Sequence, residues 1–133
     1  MEGLSNKNSI INIKEFFYKN GWEPLPYQIE SWEAYLNGEN GIIQVPTGCG
    51  KTYAALMGPL SKLKDSKKHS GLSILLITPL KALSRDLKNA INLAAQFFNP
   101  EITVGIRNGD TSSYEKKKQI LKPPNILITT PES

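Results

Sequence analysis

Six consecutive residues, Thr47-Gly48-Cys49-Gly50-Lys51-Thr52, carry the plainest chemistry in this sequence. They follow an apolar run at 42–45 and open a stretch with helical spacing. A phosphate needs backbone N–H groups at close range, and Gly48 and Gly50 permit that approach because they lack Cβ. The N-terminus of a following helix adds a favourable dipole. Lys51 would bring a point charge to the β- and γ-phosphates, and Thr52 a hydroxyl for a Mg²⁺ ion bridging them. The strict form of this cradle has glycine where Val45 stands, so the match rests on strand–turn–helix context as well as spacing. An ordinary glycine turn is the alternative, and it leaves the register of Lys51 and Thr52 unexplained. Cys49 lies close to a helix N-terminus and to Lys51, which favours its thiolate. Replacement of a similar-sized serine is the plainer reading of it.

The elements that must hold this turn can be read from apolar spacing. Ile10, Ile13 and Phe17 share one face of a first helix, which Gly21 stops. Pro24-Leu25-Pro26 is a stiff entry, and Pro26 suits the first position of a second helix. Ile29, Trp32 and Leu36 continue that helix until Gly38. Residues 42–45 read as a buried strand. A third helix covers 51–63, with Leu56, Leu60 and Leu63 on one side and Pro59 kinking or ending it. The lysine-rich residues 62–71, with His69 as spacer, read as a solvated loop.

Beyond it, 73–78 is a strand whose continuous apolar run suits a parallel sheet covered on both faces. Leu80, Leu83, Leu87, Ile91, Ala94 and Phe98 form a helical stripe, and 102–106 another strand. Ser112 and Glu115 form a capping-box pattern opening a helix that ends in the lysines 116–118. Pro123-Pro124 breaks the chain before a fourth strand at 126–129. Strands alternating with helices predict an α/β fold, with a mostly parallel sheet and helices on both faces.

Composition narrows the function. The chain has 133 residues, 39% hydrophobic and 21% charged, which suits one globular domain with a real core. No run approaches the ~18 apolar residues of a membrane span, and the first ten residues have no apolar core of a signal peptide. A cytoplasmic address without membrane association is therefore expected. One cysteine and one histidine exclude a disulfide framework and a cysteine zinc site. The net charge of +4 permits nucleic-acid binding without arguing for it. The lysines at 62–68 and 116–118 read as solvated faces, and Arg107 with Asp110 as a possible surface pair across a turn.

Four blocks, in order, resemble the motifs of superfamily 2 helicases of the DExH/DEAD type, closest to the Lhr-like (large-helicase-related) group. Pro24-x-Pro26-x-Gln28, with Trp32 four residues on, is similar to the adenine-reading Q motif. Pro46 to Thr52 looks like motif I, and Thr78-Pro79-Leu80-Lys81-Ala82-Leu83 like motif Ia. Gly105-x-Arg107-x-Gly109-Asp110-Thr111 and Thr129-Thr130-Pro131-Glu132-Ser133 resemble motifs Ib and Ic. The resemblance runs from about Gly21 to Ser133.

The resemblance implies a P-loop, RecA-like sheet that binds ATP and Mg²⁺. Residues 1–38 would be N-terminal helices carrying the adenine-reading segment. Residues 39–133 would be part of the first RecA-like domain, truncated before the Walker B strand. Gln28 would read the adenine edge, with Trp22 or Tyr27 against the base. Thr47, Gly48, Cys49, Gly50, Lys51 and Thr52 would hold the phosphates, with Lys51 and Thr52 serving catalysis and Thr52 the metal. Pro79, Lys81, Ala82, Gly109, Asp110, Thr111, Thr129, Thr130 and Pro131 would grip one strand of DNA or RNA through its backbone. In the complete enzyme, ATP hydrolysis would drive translocation along that strand.

The same resemblance implies an acidic motif II, a coupling motif III and a second RecA-like domain, none of which these residues contain. Turnover by this chain alone is not expected, and the remainder is expected on a separate chain or reading frame. The strands of motifs II and III would lie between the P-loop strand and the motif Ia strand. Without them the P-loop strand loses its neighbours, so an unstable, swapped or partner-completed polypeptide is expected. Two rivals stay open. One is a non-catalytic module binding nucleotide, nucleic acid or protein. The other is a different P-loop enzyme, such as a small kinase or GTPase, which leaves Gln28, 79–83 and 129–133 unexplained.

Overall fold

The computed structural model describes residues 2–46, 50–65, 71–79 and 81–132. The chain divides into two compact units, Met1–Lys64 and Asp65–Ser133. The first unit holds three helices, α1 (Glu2–Lys19), α2 (Pro26–Leu36) and α3 (Lys51–Ser61). The expected face of α1 is present, and Phe16 joins Ile13 and Phe17 on its buried side. The helix ends as its glycine predicts, with the Trp22 N–H donating to the Phe17 carbonyl across Gly21. Pro26 opens α2, where its missing N–H costs nothing. Trp32 and Leu36 of α2 are buried with Ala54, Leu56, Met57, Leu60 and Leu63. Helix α3 continues two residues past Pro59 before it stops at Ser61.

Residues 42–45 do not form the expected strand. They are extended without a partner strand among the described residues, and Ile42 is 93% exposed. A strand exists by pairing its N–H and C=O groups with a neighbour. An apolar run with no strand beside it has nothing to pair with, whatever its propensity.

The second unit carries a parallel sheet of β1 (Ile74–Ile77), β2 (Val104–Arg107) and β3 (Ile126–Thr129) in the order β1-β3-β2. The last strand in sequence is thus the central one, and its Ile126 and Ile128 are fully buried. Helix α4 (Ser84–Phe98) follows a single 3₁₀ turn, Lys81–Leu83, and packs on β2 and β3. Its buried stripe is Ile91, Ala94, Ala95 and Phe98, as its spacing predicts, while Leu83 stays exposed. Helix α5 (Ser113–Leu121) starts at the expected cap, where Ser112 Oγ accepts from the Glu115 N–H at 3.2 Å. It runs three residues beyond the expected lysine end.

Coverage of the sheet is less complete than the apolar sequence of β1 predicts. Register places Leu75, Leu127 and Gly105 on one face. A Cβ on Gly105 would lie 3.1 Å from Pro124 and 3.4 Å from Gln119, so α5 and its exit close over β2. They do not reach β1, where Leu75 and Ile77 are 53% and 57% exposed. Among the described residues no helix is long and apolar enough to cross a membrane.

Asn125 locks the amino ends of all three strands. Its Oδ1 accepts from the Thr103 N–H at 3.0 Å, and its Nδ2 donates to the Gly71 carbonyl at 3.1 Å. Its own carbonyl accepts from Ser73 and Ile74. Asn125→Ala would leave the part-buried Thr103 N–H and Gly71 carbonyl, which precede the two flanking strands, without that partner. It is expected to cost about 1–3 kcal/mol in urea unfolding, with the slope unchanged.

Candidate functional site

The two groups of candidate residues belong to different units. In the first unit, Gly50 precedes α3 with φ +79°, a left-handed conformation that L side chains rarely adopt. Its carbonyl accepts twice, from the Ala54 N–H at 3.2 Å and from Gln28 Nε2 at 3.1 Å. Gln28 is only 4% exposed, and its Oε1 accepts from the Leu25 N–H at 2.9 Å. One amide therefore caps α2 and ties it to the turn before α3. A primary amide has two donor hydrogens and two acceptor lone pairs, and these two bonds use one of each.

A Cβ on Gly50 would lie 2.6 Å from Gln28 Nε2 and 3.6 Å from the Tyr27 hydroxyl. Glycine is thus required twice, by conformation and by space. No side chain caps the N-terminus of α3. Lys51 is its exposed first residue and Thr52 its half-buried second. The amino end of a helix, its dipole and the Lys51 cation together fit a phosphate. Thr47, Gly48 and Cys49 lie outside the described residues. Among those described, no cluster of three His, Cys, Asp or Glu could hold a metal.

Aromatic packing fixes the first turn of α3. Trp32 Nε1 donates to the Tyr53 carbonyl at 2.9 Å. The Tyr53 ring lies 5.6 Å from Phe16 and 5.6 Å from Trp22. Burial pushes the Tyr53 hydroxyl's pKa up, which keeps it neutral. Of the two aromatics considered for a base, Trp22 packs on Phe16, Phe17 and Tyr53. Tyr27 stands beside Gly50. Sequence reasoning passed over Tyr53, whose only signal was its place after Thr52.

In the second unit, the candidate loops all follow the carboxyl ends of adjacent parallel strands, the edge where open α/β sheets bind ligands. Pro79, Lys81 and Ala82 come after β1, Gly109, Asp110 and Thr111 after β2, and Thr130 and Pro131 after β3, whose last residue is Thr129. Lys81 Nζ pairs with Asp110 Oδ1 at 3.2 Å, both side chains being exposed. That settles the open pairing of Arg107, whose guanidinium instead donates to the Lys116 carbonyl at 3.4 Å.

The β2 turn is held from within. The Asp110 N–H donates to Asn108 Oδ1 at 2.8 Å, and the Asn108 N–H to Thr111 Oγ1 at 2.9 Å. Asn108 is a structural residue the motif spacing skipped, although Asn before Gly is itself a turn signal. Thr129 Oγ1 donates to the Arg107 carbonyl at 2.7 Å, tying the β3 end to the β2 end. Pro79, Ala82, Gly109 and Pro131 are exposed, while Thr130 is buried. Leu80 and Ser133 lie outside the described residues.

Comparison with known proteins agrees with these motifs. Residues 25–133 match the model of the DEAD/DEAH box helicase family. The Lhr helicase/probable uracil glycosylase of Mycolicibacterium smegmatis is 36% identical over 132 residues, covering 90% of this chain and 9% of that protein. The ATP-dependent helicase Lhr-Core of Sulfolobus acidocaldarius is 44% identical over 106 residues, covering 72% of this chain and 12% of that protein. The solved structure of Mycobacterium smegmatis helicase Lhr bound to ssDNA and AMP-PNP superposes with a TM-score of 0.78 at 32% identity, over 90% of this chain and 17% of that one. The chain thus spans about a tenth of the length of the curated relatives it matches.

Gly50→Ala is expected to lower stability by about 1–2 kcal/mol from backbone conformation alone, with a further loss from the contact with Gln28. In a Gln28→Ala background the contact loss disappears and the conformational loss stays. The two substitutions should therefore be non-additive in thermal melts.

Proposed function

The chain belongs to the DEAD/DEAH box helicase family, and from that premise we propose that its first unit binds ATP and its second grips a nucleic-acid strand. It would do so as the amino-terminal part of the first RecA-like domain of an Lhr-type superfamily 2 helicase in the cytoplasm. The observation that carries the reading is the Gln28–Gly50 hydrogen bond, which sets an adenine-reading amide on the carbonyl of the phosphate turn. Gln28 keeps one donor and one acceptor for the adenine edge. Lys51 faces the β- and γ-phosphates, and the residues before it, Thr47, Gly48 and Cys49, complete the cradle by sequence. Mg²⁺, when bound, neutralises phosphate charge, and the Thr52 hydroxyl would hold it.

The second unit contributes Pro79, Lys81, Ala82, Gly109, Asp110, Thr111, Thr129, Thr130 and Pro131, from three neighbouring strand ends. Backbone N–H groups, hydroxyls and one ammonium meet phosphates there and leave the bases unread. Thr129 and the buried Thr130 would act by shaping that edge. DNA and RNA are both accommodated by such contacts. In the complete protein, ATP hydrolysis would drive movement along the strand.

A second reading, binding without turnover, is favoured for these residues taken alone by one observation. The 133 residues hold no adjacent Asp-Glu pair to position Mg²⁺ and the attacking water.

Titration of a fluorescent ATP analogue onto the 133-residue chain tests the nucleotide half. Lys51→Ala should weaken binding by about tenfold or more, the loss of a charge-assisted contact; unchanged affinity would sink the assignment. For the nucleic-acid half, the affinity for single-stranded DNA should fall with salt. Lys81→Ala should flatten the log–log slope by about 0.7, one phosphate contact on a single strand.

A further inference from the structure

Helix α5 turns one side to the sheet. Its Gln119 Nε2 donates to the Ile106 carbonyl at 2.9 Å, and its Lys116 carbonyl receives Arg107. Tyr114, Lys117, Lys118 and Leu121 recur at spacings of three, four and seven, so they share the opposite side. None of the four is buried; Tyr114 is 74% and Leu121 82% exposed. Burying a ring stabilises a fold, and this ring buries little, so Tyr114 does almost nothing for the core. The charge beside it is basic, from Lys117 and Lys118, while Glu115 points about a quarter-turn away. Tyr114 also lies only three residues after Thr111, which ends the part of the proposed strand track that follows β2, and the Ser112 cap joins the two.

We propose that Tyr114 is a base-stacking platform that extends the strand track onto α5, with Lys117 and Lys118 against the phosphates on either side. The inference rests on the nucleic-acid reading of the strand-end loops. An exposed aromatic beside lysines is what a single strand with unpaired bases requires, because every base has a stackable face. A duplex keeps its bases inside and gains nothing from the ring. The occupant is therefore single-stranded, and Tyr114 raises the preference for it.

The test is fluorescence anisotropy with the 133-residue chain, using an oligothymidine and an abasic oligonucleotide of equal length. Tyr114→Ala should weaken oligothymidine binding by about fivefold to a hundredfold, the worth of one stacked base. It should leave binding to the abasic strand unchanged. Tyr114→Trp should bind oligothymidine at least as well as the natural chain, which also shows that the position tolerates substitution. Equal losses on both oligonucleotides, or no loss on either, would overturn the platform while leaving the strand track in place. If Tyr114→Ala instead abolished self-association in size-exclusion chromatography without touching DNA affinity, the face would be a protein contact and the proposal wrong. No binding of either oligonucleotide by the natural chain, at any salt, would bring down the underlying reading itself.

Discussion

Gly50 presents its carbonyl to two donors at once, and the first unit is organised around that atom. One donor, the Ala54 N–H, begins the hydrogen-bond ladder of α3. The other, Gln28, is the capping residue of α2. The two helices therefore start from a common point. The carbonyl can face both donors only because φ at residue 50 is positive and no side chain stands in the way. The aromatic cluster around Tyr53 then supplies the rigidity. Rings from three elements and the Trp32 indole bond hold the first turn of α3, so Lys51 and Thr52 project from a fixed base.

The second unit reaches a comparable result by different means. Asn125 gathers the amino ends of the three strands, and strand pairing then carries that alignment four residues on to their carboxyl ends. There the Lys81–Asp110 pair and the Thr129–Arg107 bond link loops from different strands. An exposed ion pair of that kind contributes at most about 1 kcal/mol. It joins the loop after β1 to the loop after β2 across the end of the central strand.

Both units leave apolar side chains exposed. Ile42 stands in water, and one face of β1 exposes Leu75 and Ile77. Such surfaces are costly in isolation and favour further pairing or packing. The loops at the strand ends are instead polar and bonded within themselves.

Local chemistry was legible without coordinates. Glycine and proline marked the ends of α1 and α2, the Ser112 cap announced α5, and apolar spacing named Trp32, Leu36, Ile91 and Phe98 as core. The family's motifs were likewise visible, because each depends on residue types within a few positions of one another. What required the tertiary structure was every feature set by a distant partner. Residues 42–45 read as a strand by propensity, yet a strand is defined by a neighbour, and among the described residues none pairs with them. Gln28 was singled out from sequence as a ligand reader, and only the fold shows its hydrogen bond to Gly50, twenty-two residues away. Lys81 met Asp110 rather than leaving Asp110 to the nearby Arg107, because the sheet order β1-β3-β2 sets which loops share an edge. Pairing across space is decided by topology, and topology is invisible to any short window of sequence.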